Sequence, residues 1–428
     1  MLGVLFGVAG MGSTTASVVL PELAREFDVT VAQGAWSVSL YVLTLGVTTA
    51  LYGRISDLIG LRGPLAAGLG LLTGGAVLAA LAPTYGVHLA GRLLQGAGAA
   101  AVPTLGVAAI TARYDGAVRS TSLGQLAGMA AVLSGLGPLI GGAADAVGGW
   151  RSAIVLPALS LLVLPFVWHA LATEGTRGRL DVVGAVLVAG ASGAMVLLLQ
   201  SPSTGSSMAI ASLAMVVVGA VAVFLWVRRT PHGFLPLQVI GNGVIVRSGL
   251  AGAAIIAGWF AIFVCVPVIL LAAGWQPVEV GLLLVPGAAV GFVTPRFAGR
   301  VILRVGSARA LSYSCLCAGV AVCLGAAGAE WSSPVVLGAA GFVITACFGL
   351  GQPALMESVG AAVDSEMRGV ALGVATLLFL TGGSFGAAIV GGLGDMVGLP
   401  ASLCVVAVLP LLGALATLGL PSPGDPKR

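Results

Sequence analysis

The sequence predicts an all-α polytopic membrane protein with two six-helix halves and two further helices inserted between them. Three observations predict it. Hydrophobic residues fill 58% of the 428 positions and charged residues only 8%, whereas a soluble domain needs about 25% charge to cover its surface. Apolar runs of about twenty residues, the length that crosses a bilayer, recur fourteen times. The first part of the chain also resembles the last. This composition excludes an ordinary soluble enzyme, a nucleic-acid-binding protein and a disordered chain. The runs are continuous, so a transmembrane barrel with its alternating pattern is excluded too.

The runs fall between charges and turn formers. The first, 2–21, has no Lys or Arg before Arg25, so a first span is expected and not a secretory signal. The next, 33–53, 63–82 and 86–112, end at Arg54, Pro83 and Arg113. The fifth and sixth, 119–144 and 151–172, are parted by Asp145 and Arg151. The central pair, 181–200 and 207–227, closes at Arg228-Arg229. The last six are 244–273, 278–295, 307–329, 333–356, 369–394 and 399–420. The expected division is an N-terminal half 1–172, an insertion with linkers 173–243, a C-terminal half 244–420 and a cytoplasmic tail 421–428.

Positive charge sets the orientation. With the N-terminus in the cytoplasm, every basic residue except Arg25, Arg92 and Arg151 falls in a cytoplasmic segment. Arg25 and Arg151 lie in outer loops and Arg92 lies within a span. A miscounted span would reverse everything downstream, so fourteen spans with both termini inside is the expected topology.

The repeat is read in short motifs. Gly53-Arg54-Ile55-Ser56-Asp57-Leu58-Ile59-Gly60 returns as Gly299-Arg300-Val301-Ile302-Leu303-Arg304-Val305-Gly306, 246 residues later. Arg119 before the fifth span matches Arg368 before the thirteenth. Gly141-Gly142 with Asp145 resembles Gly391-Gly392 with Asp395. Parallel six-helix repeats are a transporter signature.

These residues carry a family resemblance. Gly53, Asp57, Gly60 and Arg62 match the loop motif of the major facilitator superfamily between its second and third helices. Arg92, Gln95 and Gly96 resemble its fourth-helix motif. Gly135, Gly137, Pro138, Gly141 and Gly142 resemble the fifth-helix antiporter motif of its exporters. The resemblance covers the whole chain. Fourteen helices with a central pair look like the drug:proton antiporter branch that includes tetracycline and multidrug exporters. It implies a secondary exporter in the cell membrane, driven by the proton gradient, with no cofactor, no metal and no enzymatic activity. It is expected to act as a monomer in the bilayer, with protons and a small amphipathic molecule as its partners.

The residues have physical readings of their own. Asp57 sits among glycines in a cytoplasmic turn, placed to pair with Arg54, Arg62 or Arg119 and so to close that side; the alternative is a solvated carboxylate. Arg92 is a charge inside a span and therefore a candidate coupling or gating group, unless it snorkels to the outer face. The fifth-helix glycines allow close backbone approach, and Pro138 bends that helix.

Acidic residues bear on coupling. None of the fifteen falls near mid-bilayer. Gly12 stands where many fourteen-helix exporters carry an Asp, and Ser134 and Gly383 stand where the similar tetracycline exporters carry acids. Asp28, Asp57 and Glu357 remain as proton-sensing candidates, with Glu357 expected to be the best buried. The expected substrate cavity includes Trp36, Tyr41, Gln95, Gln125, Met129, Trp259, Phe263 and Gln352, beside Ser17, Phe260 and Met356. Such an apolar, aromatic and Met-rich lining suits poorly charged amphipaths. The six cysteines lie in apolar stretches without metal-ligand spacing, and His88, His169 and His232 fall near span ends, where an interfacial setting is expected. A nutrient carrier and a non-transporting sensor on the same fold are the rival readings. No Gly-x-x-x-x-Gly-Lys-Ser/Thr loop is present for an ATP-driven pump.

Overall fold

The computed structural model describes residues 1–420 except 115, 172–180, 202–205, 231–232 and 365–366, and omits the side chains of a few helical positions, Asp57, Arg119 and His169 among them. In chain order the helices are α1 Leu2–Val18, α2 Leu20–Glu26, α3 Val31–Gly34, α4 Trp36–Ile59, α5 Arg62–Ala80, α6 Tyr85–Ala99, α7 Ala101–Arg113, α8 Gly116–Gly135, α9 Gly137–Val155, α10 Leu164–Val167, α11 Val182–Gln200, α12 Ser206–Arg229, α13 Leu237–Ile240, α14 Gly243–Ala272, α15 Pro277–Val305, α16 Ser307–Glu330, α17 Pro334–Gly360 and α18 Arg368–Thr417. No strand occurs among the described residues. That is the expected outcome for backbone that must satisfy itself without water.

Among the described residues, eleven helical segments are long and apolar enough to cross a membrane. The pair α1–α2, bent by 65° with Pro21 just past the bend, makes a twelfth if taken as one span. Helix α18 runs for 50 residues and contains Gly398 at φ +82°. At 1.5 Å per residue that is about 75 Å of helix, more than twice the hydrocarbon thickness, with a left-handed residue inside it. Helix α9 likewise holds Gly149 at φ +69°. Both are helix pairs joined at a glycine, the residue that enters this region without strain.

The repeat is visible in the backbone. Asp28 and Gly274 both have positive φ and are 246 residues apart, as are Gly60 at φ +80° and Gly306 at φ +87°. Gly149 and Gly398 form a third pair, 249 residues apart. The same turns are thus built twice. The sixth run departs from a regular span. It carries Pro157 and Pro165, which lack an N–H donor, and it winds through 3₁₀ turns at Leu156–Val163 and Trp168–Leu171.

The chain forms two compact units. The first comprises Met1–Asp181 with Pro267–Ala289, and the second Val182–Val266 with Val290–Arg428. In the first, α1 packs along α8 and α9, α5 along α6, and α4 along α6. In the second, α16 packs on α17 and α18, and α11 on α12 and α18. Helix α12 is almost wholly exposed, with Leu213, Val217, Val218, Phe224 and Leu225 on its surface.

Candidate functional site

Arg92 lies seven residues into α6, about 10 Å along the helix, and is completely buried. It does not snorkel. Its Nε donates to Ser37 O at 2.8 Å, Nη2 donates to Gly12 O at 2.8 Å, and Nη1 donates to Gln95 Oε1. The guanidinium carbon sits 4.5 Å from the centre of the Tyr41 ring, a cation–π contact. Every acceptor is neutral. An ion pair elsewhere in this unit, Arg151–Glu26, spans 2.8 Å and is partly exposed.

The groups around Arg92 are held in turn. Gln95 donates Nε2 to Ile154 O at 3.1 Å, and the Tyr41 hydroxyl donates to Ala9 O at 2.9 Å. Gly12 leaves the space that Tyr41 fills, since a Cβ there would lie 2.7 Å from Tyr41 Oη. At Gly12, where many fourteen-helix exporters carry an Asp, the chain presents a backbone carbonyl and leaves room for an aromatic ring. Ser37 extends the network, its Oγ lying 2.8 Å from His88 Nε2 while His88 Nδ1 lies 2.9 Å from Ala79 O. A carbonyl only accepts, so Nδ1 carries a hydrogen, and Nε2 pairs with the Ser37 hydroxyl. His88 is fully buried among Phe27, Tyr85 and Trp150, which corrects its expected interfacial setting. Its two hydrogen bonds make burial tolerable.

The antiporter motif builds the second part of the site. Helix α8 ends at Gly135 and α9 starts at Gly137, with Pro138 in its first turn. Pro138 cannot donate to the carbonyl four residues back, and that carbonyl, Ser134 O, receives the Thr14 hydroxyl of α1 at 3.1 Å. The same hydroxyl also reaches Met11 O at 3.1 Å. Two glycines face α1. A Cβ on Gly137 would collide with Thr14 Oγ1, and one on Gly141 would lie 2.9 Å from Thr15 Cα. The other two face α15. A Cβ on Gly135 would lie 2.7 Å from the Ala288 Cβ, and one on Gly142 2.6 Å from Pro277 backbone. From the opposite side, a Cβ on Gly281 would come 2.9 Å from Pro138 O. The motif is a slot in which the α8–α9 segment approaches α1 and α15 closely, against backbone and small side chains.

The remaining expected residues are spread out. Arg62 opens α5, donates Nε to Trp168 O at 3.1 Å and lies over the Trp168 ring. Asp57 lies in the last turn of α4, one turn before the bend at Gly60 and not within the turn itself. Its side chain and that of Arg119 lie outside the described residues, as do those of His169 and His232. Glu357 is exposed, not buried; α17 turns Ala354, Leu355, Ser358 and Val359 inward instead. Asp28 is exposed as well.

Of the expected cavity residues, Trp36, Tyr41 and Gln95 are buried in the first unit. Gln125 and Met129 are exposed on α8. Trp259 and Phe263 stack at 4.0 Å in the second unit, next to Phe260 and Phe348. Gln352 is half-buried. Cys265, Cys315 and Cys347 are buried and Cys317, Cys323 and Cys404 exposed, and no metal-ligating cluster occurs among the described residues.

Sequence reasoning missed Thr14, Ser37 and His88. A proline four residues after Ser134 signals a freed carbonyl, but nothing in the sequence assigns its donor.

The family model described as Major Facilitator Superfamily matches residues 2–387. An uncharacterized MFS-type transporter, EfpA of Mycobacterium tuberculosis, is 30% identical over 269 residues, which is 60% of this chain and 50% of the relative. The chain thus spans about half the length of that relative. An uncharacterized transporter, YebQ of Escherichia coli, is 27% identical over 91% of this chain and 87% of its own. A protein named multidrug resistance protein Stp, from Mycobacterium tuberculosis, is 29% identical over 68% of this chain and 56% of its own.

Proposed function

The chain belongs to the Major Facilitator Superfamily, and from that premise we propose that it is a secondary exporter of amphipathic drug-like or natural-product molecules, working by alternating access with inward proton flow. The observation that carries this reading is the glycine slot of α8 and α9. Gly135, Gly137, Gly141 and Gly142 hold that segment against α1 and α15, where a Cβ at any of them would meet Ala288, Thr14, Thr15 or Pro277, and the freed Ser134 carbonyl is capped by a hydroxyl with a second acceptor within reach. When the helices part, the Thr14 hydroxyl keeps Met11 O as its acceptor, and Ser134 O is the one group that needs a new donor. The name of one relative, multidrug resistance protein Stp, supports export over import.

The topology that goes with this function has fourteen crossings, both termini in the cytoplasm and the cell membrane as its location. It arises when α1–α2 counts as one span, the sixth run as a span of its own, and α18 as two. The protein acts as a monomer, without cofactor or enzymatic chemistry. Arg92 and its acceptors close the first unit; Asp57, Arg62 and Arg119 gate the cytoplasmic side.

The test is efflux from loaded cells across a panel of antibiotics and dyes, with and without a proton uncoupler. Export that stops with the uncoupler is the expected result. Export indifferent to it overturns the antiport mechanism, and no export with the protein present at the membrane favours the sensor.

A further inference from the structure

We propose that the exporter selects amphipathic organic anions, such as a carboxylate or sulfonate on an aromatic body, over organic cations of the same shape, and that the buried charge of Arg92 sets this preference. The proposal rests on the exporter reading above and narrows its substrate class.

The observation is a buried charge with no counter-charge beside it among the described residues. Arg92 is fully buried, and its three nitrogens donate to Ser37 O, Gly12 O and Gln95 Oε1. These partners accept one bond from each nitrogen and, being neutral, leave the charge whole. Its charged or ionisable neighbours are Tyr41 and Tyr85, both hydroxyls, and His88. His88, with a carbonyl on one nitrogen and a serine hydroxyl on the other, supplies no negative charge. The position from which a side chain would answer the guanidinium is taken, because Tyr41 occupies the space a Cβ on Gly12 would need. No Asp or Glu falls within the spans around it in the sequence.

A net positive charge in a low-dielectric slab acts over a long range because little screens it. At an effective dielectric near 20, a unit charge roughly 12 Å away changes the binding of a monovalent ligand about tenfold, favouring an anion and opposing a cation. Arg92 need not touch the ligand for this. The basic cytoplasmic loops carry no weight here, since the positive-inside rule places them in any membrane protein. Arg92 obeys no such rule, because an intramembrane charge is costly and is kept for what it does.

The full chain in proteoliposomes tests this with dyes that share one xanthene body, anionic fluorescein and cationic rhodamine 6G, under the same proton gradient. The expected result is a kcat/KM for fluorescein at least tenfold above that for rhodamine 6G. Arg92→Lys keeps the charge and keeps the preference. The double variant Gly12→Asp with Tyr41→Ala sets a carboxylate beside Arg92 in the vacated space and brings the ratio towards one. Rhodamine 6G exported as well as fluorescein overturns the anion preference and leaves the exporter reading standing. A preference that survives the added carboxylate in a folded double variant removes Arg92 as its cause. Neither dye moving, with the protein correctly inserted, overturns both.

Discussion

Arg92 is the residue on which the first unit closes. Arg92→Met leaves Gln95 Oε1 buried without its donor, while Ser37 O and Gly12 O lose the guanidinium and keep the N–H groups of their own helices. At about 1–3 kcal/mol for an orphaned group, a loss of about that size is expected, read as a lower unfolding temperature in detergent. Gly12→Ala tests the neighbouring space. Its Cβ meets Tyr41 Oη at 2.7 Å, so about 1–3 kcal/mol of overpacking is expected. Tyr41→Phe in the same chain should return part of it, and a double-mutant cycle measures the coupling. The sequence marked Arg92, Gln95 and Tyr41 as separate positions. It did not join them to Gly12 and Ser37, because those acceptors are main-chain atoms 80 and 55 positions away, and any residue type supplies a carbonyl.

At the scale of elements, the α8–α9 segment is defined by what it lacks. Gly142→Ala drives a Cβ to 2.6 Å from Pro277 backbone, where no rotamer change relieves it, and export should be lost as α15 is pushed away. Gly74→Ala on α5 is the control. Nothing lies within 4 Å of that position, so the variant should keep transport and gain up to about 1 kcal/mol from helix propensity. Thr14→Val removes the hydroxyl that donates to Ser134 O at nearly constant volume, with a cost of about 1–3 kcal/mol. Thr14→Ser restores the hydroxyl and should recover most of it. The motif glycines were legible because four of them stand at fixed spacing around one proline. Which neighbour each one faces was not, since α1 and α15 lie more than a hundred residues away in opposite directions along the chain.

At the scale of the molecule, the repeat was legible from Gly60 and Gly306, and the backbone returns it as matched left-handed turns. The charge pattern gave the order of spans, because charges are excluded from the slab and so punctuate it. The bend after α1 and the 3₁₀ winding after Leu156 were less legible, because hydropathy is blind to how an apolar run coils. Glu357 shows the same limit, for its place in the chain says where along α17 it sits but not which face it takes. The fourteen-crossing topology has its own check. Reporter fusions placed before residue 2 and after Leu420 should both report the cytoplasm, and a fusion at Asp28 the opposite side. Opposite answers from the two ends would mean an odd number of crossings.

Two of the three hydrogen-bond acceptors of Arg92 belong to peptide bonds. A peptide carbonyl does not titrate between acid and alkaline media, and no codon change deletes it. The grip on Arg92 is therefore insensitive to acidity at those two points and resistant to mutation there. Variants selected for altered export should accumulate at Gln95, Tyr41 and Arg92 itself. Serine 37 should tolerate alanine better than its central place suggests, because its carbonyl stays when its hydroxyl goes.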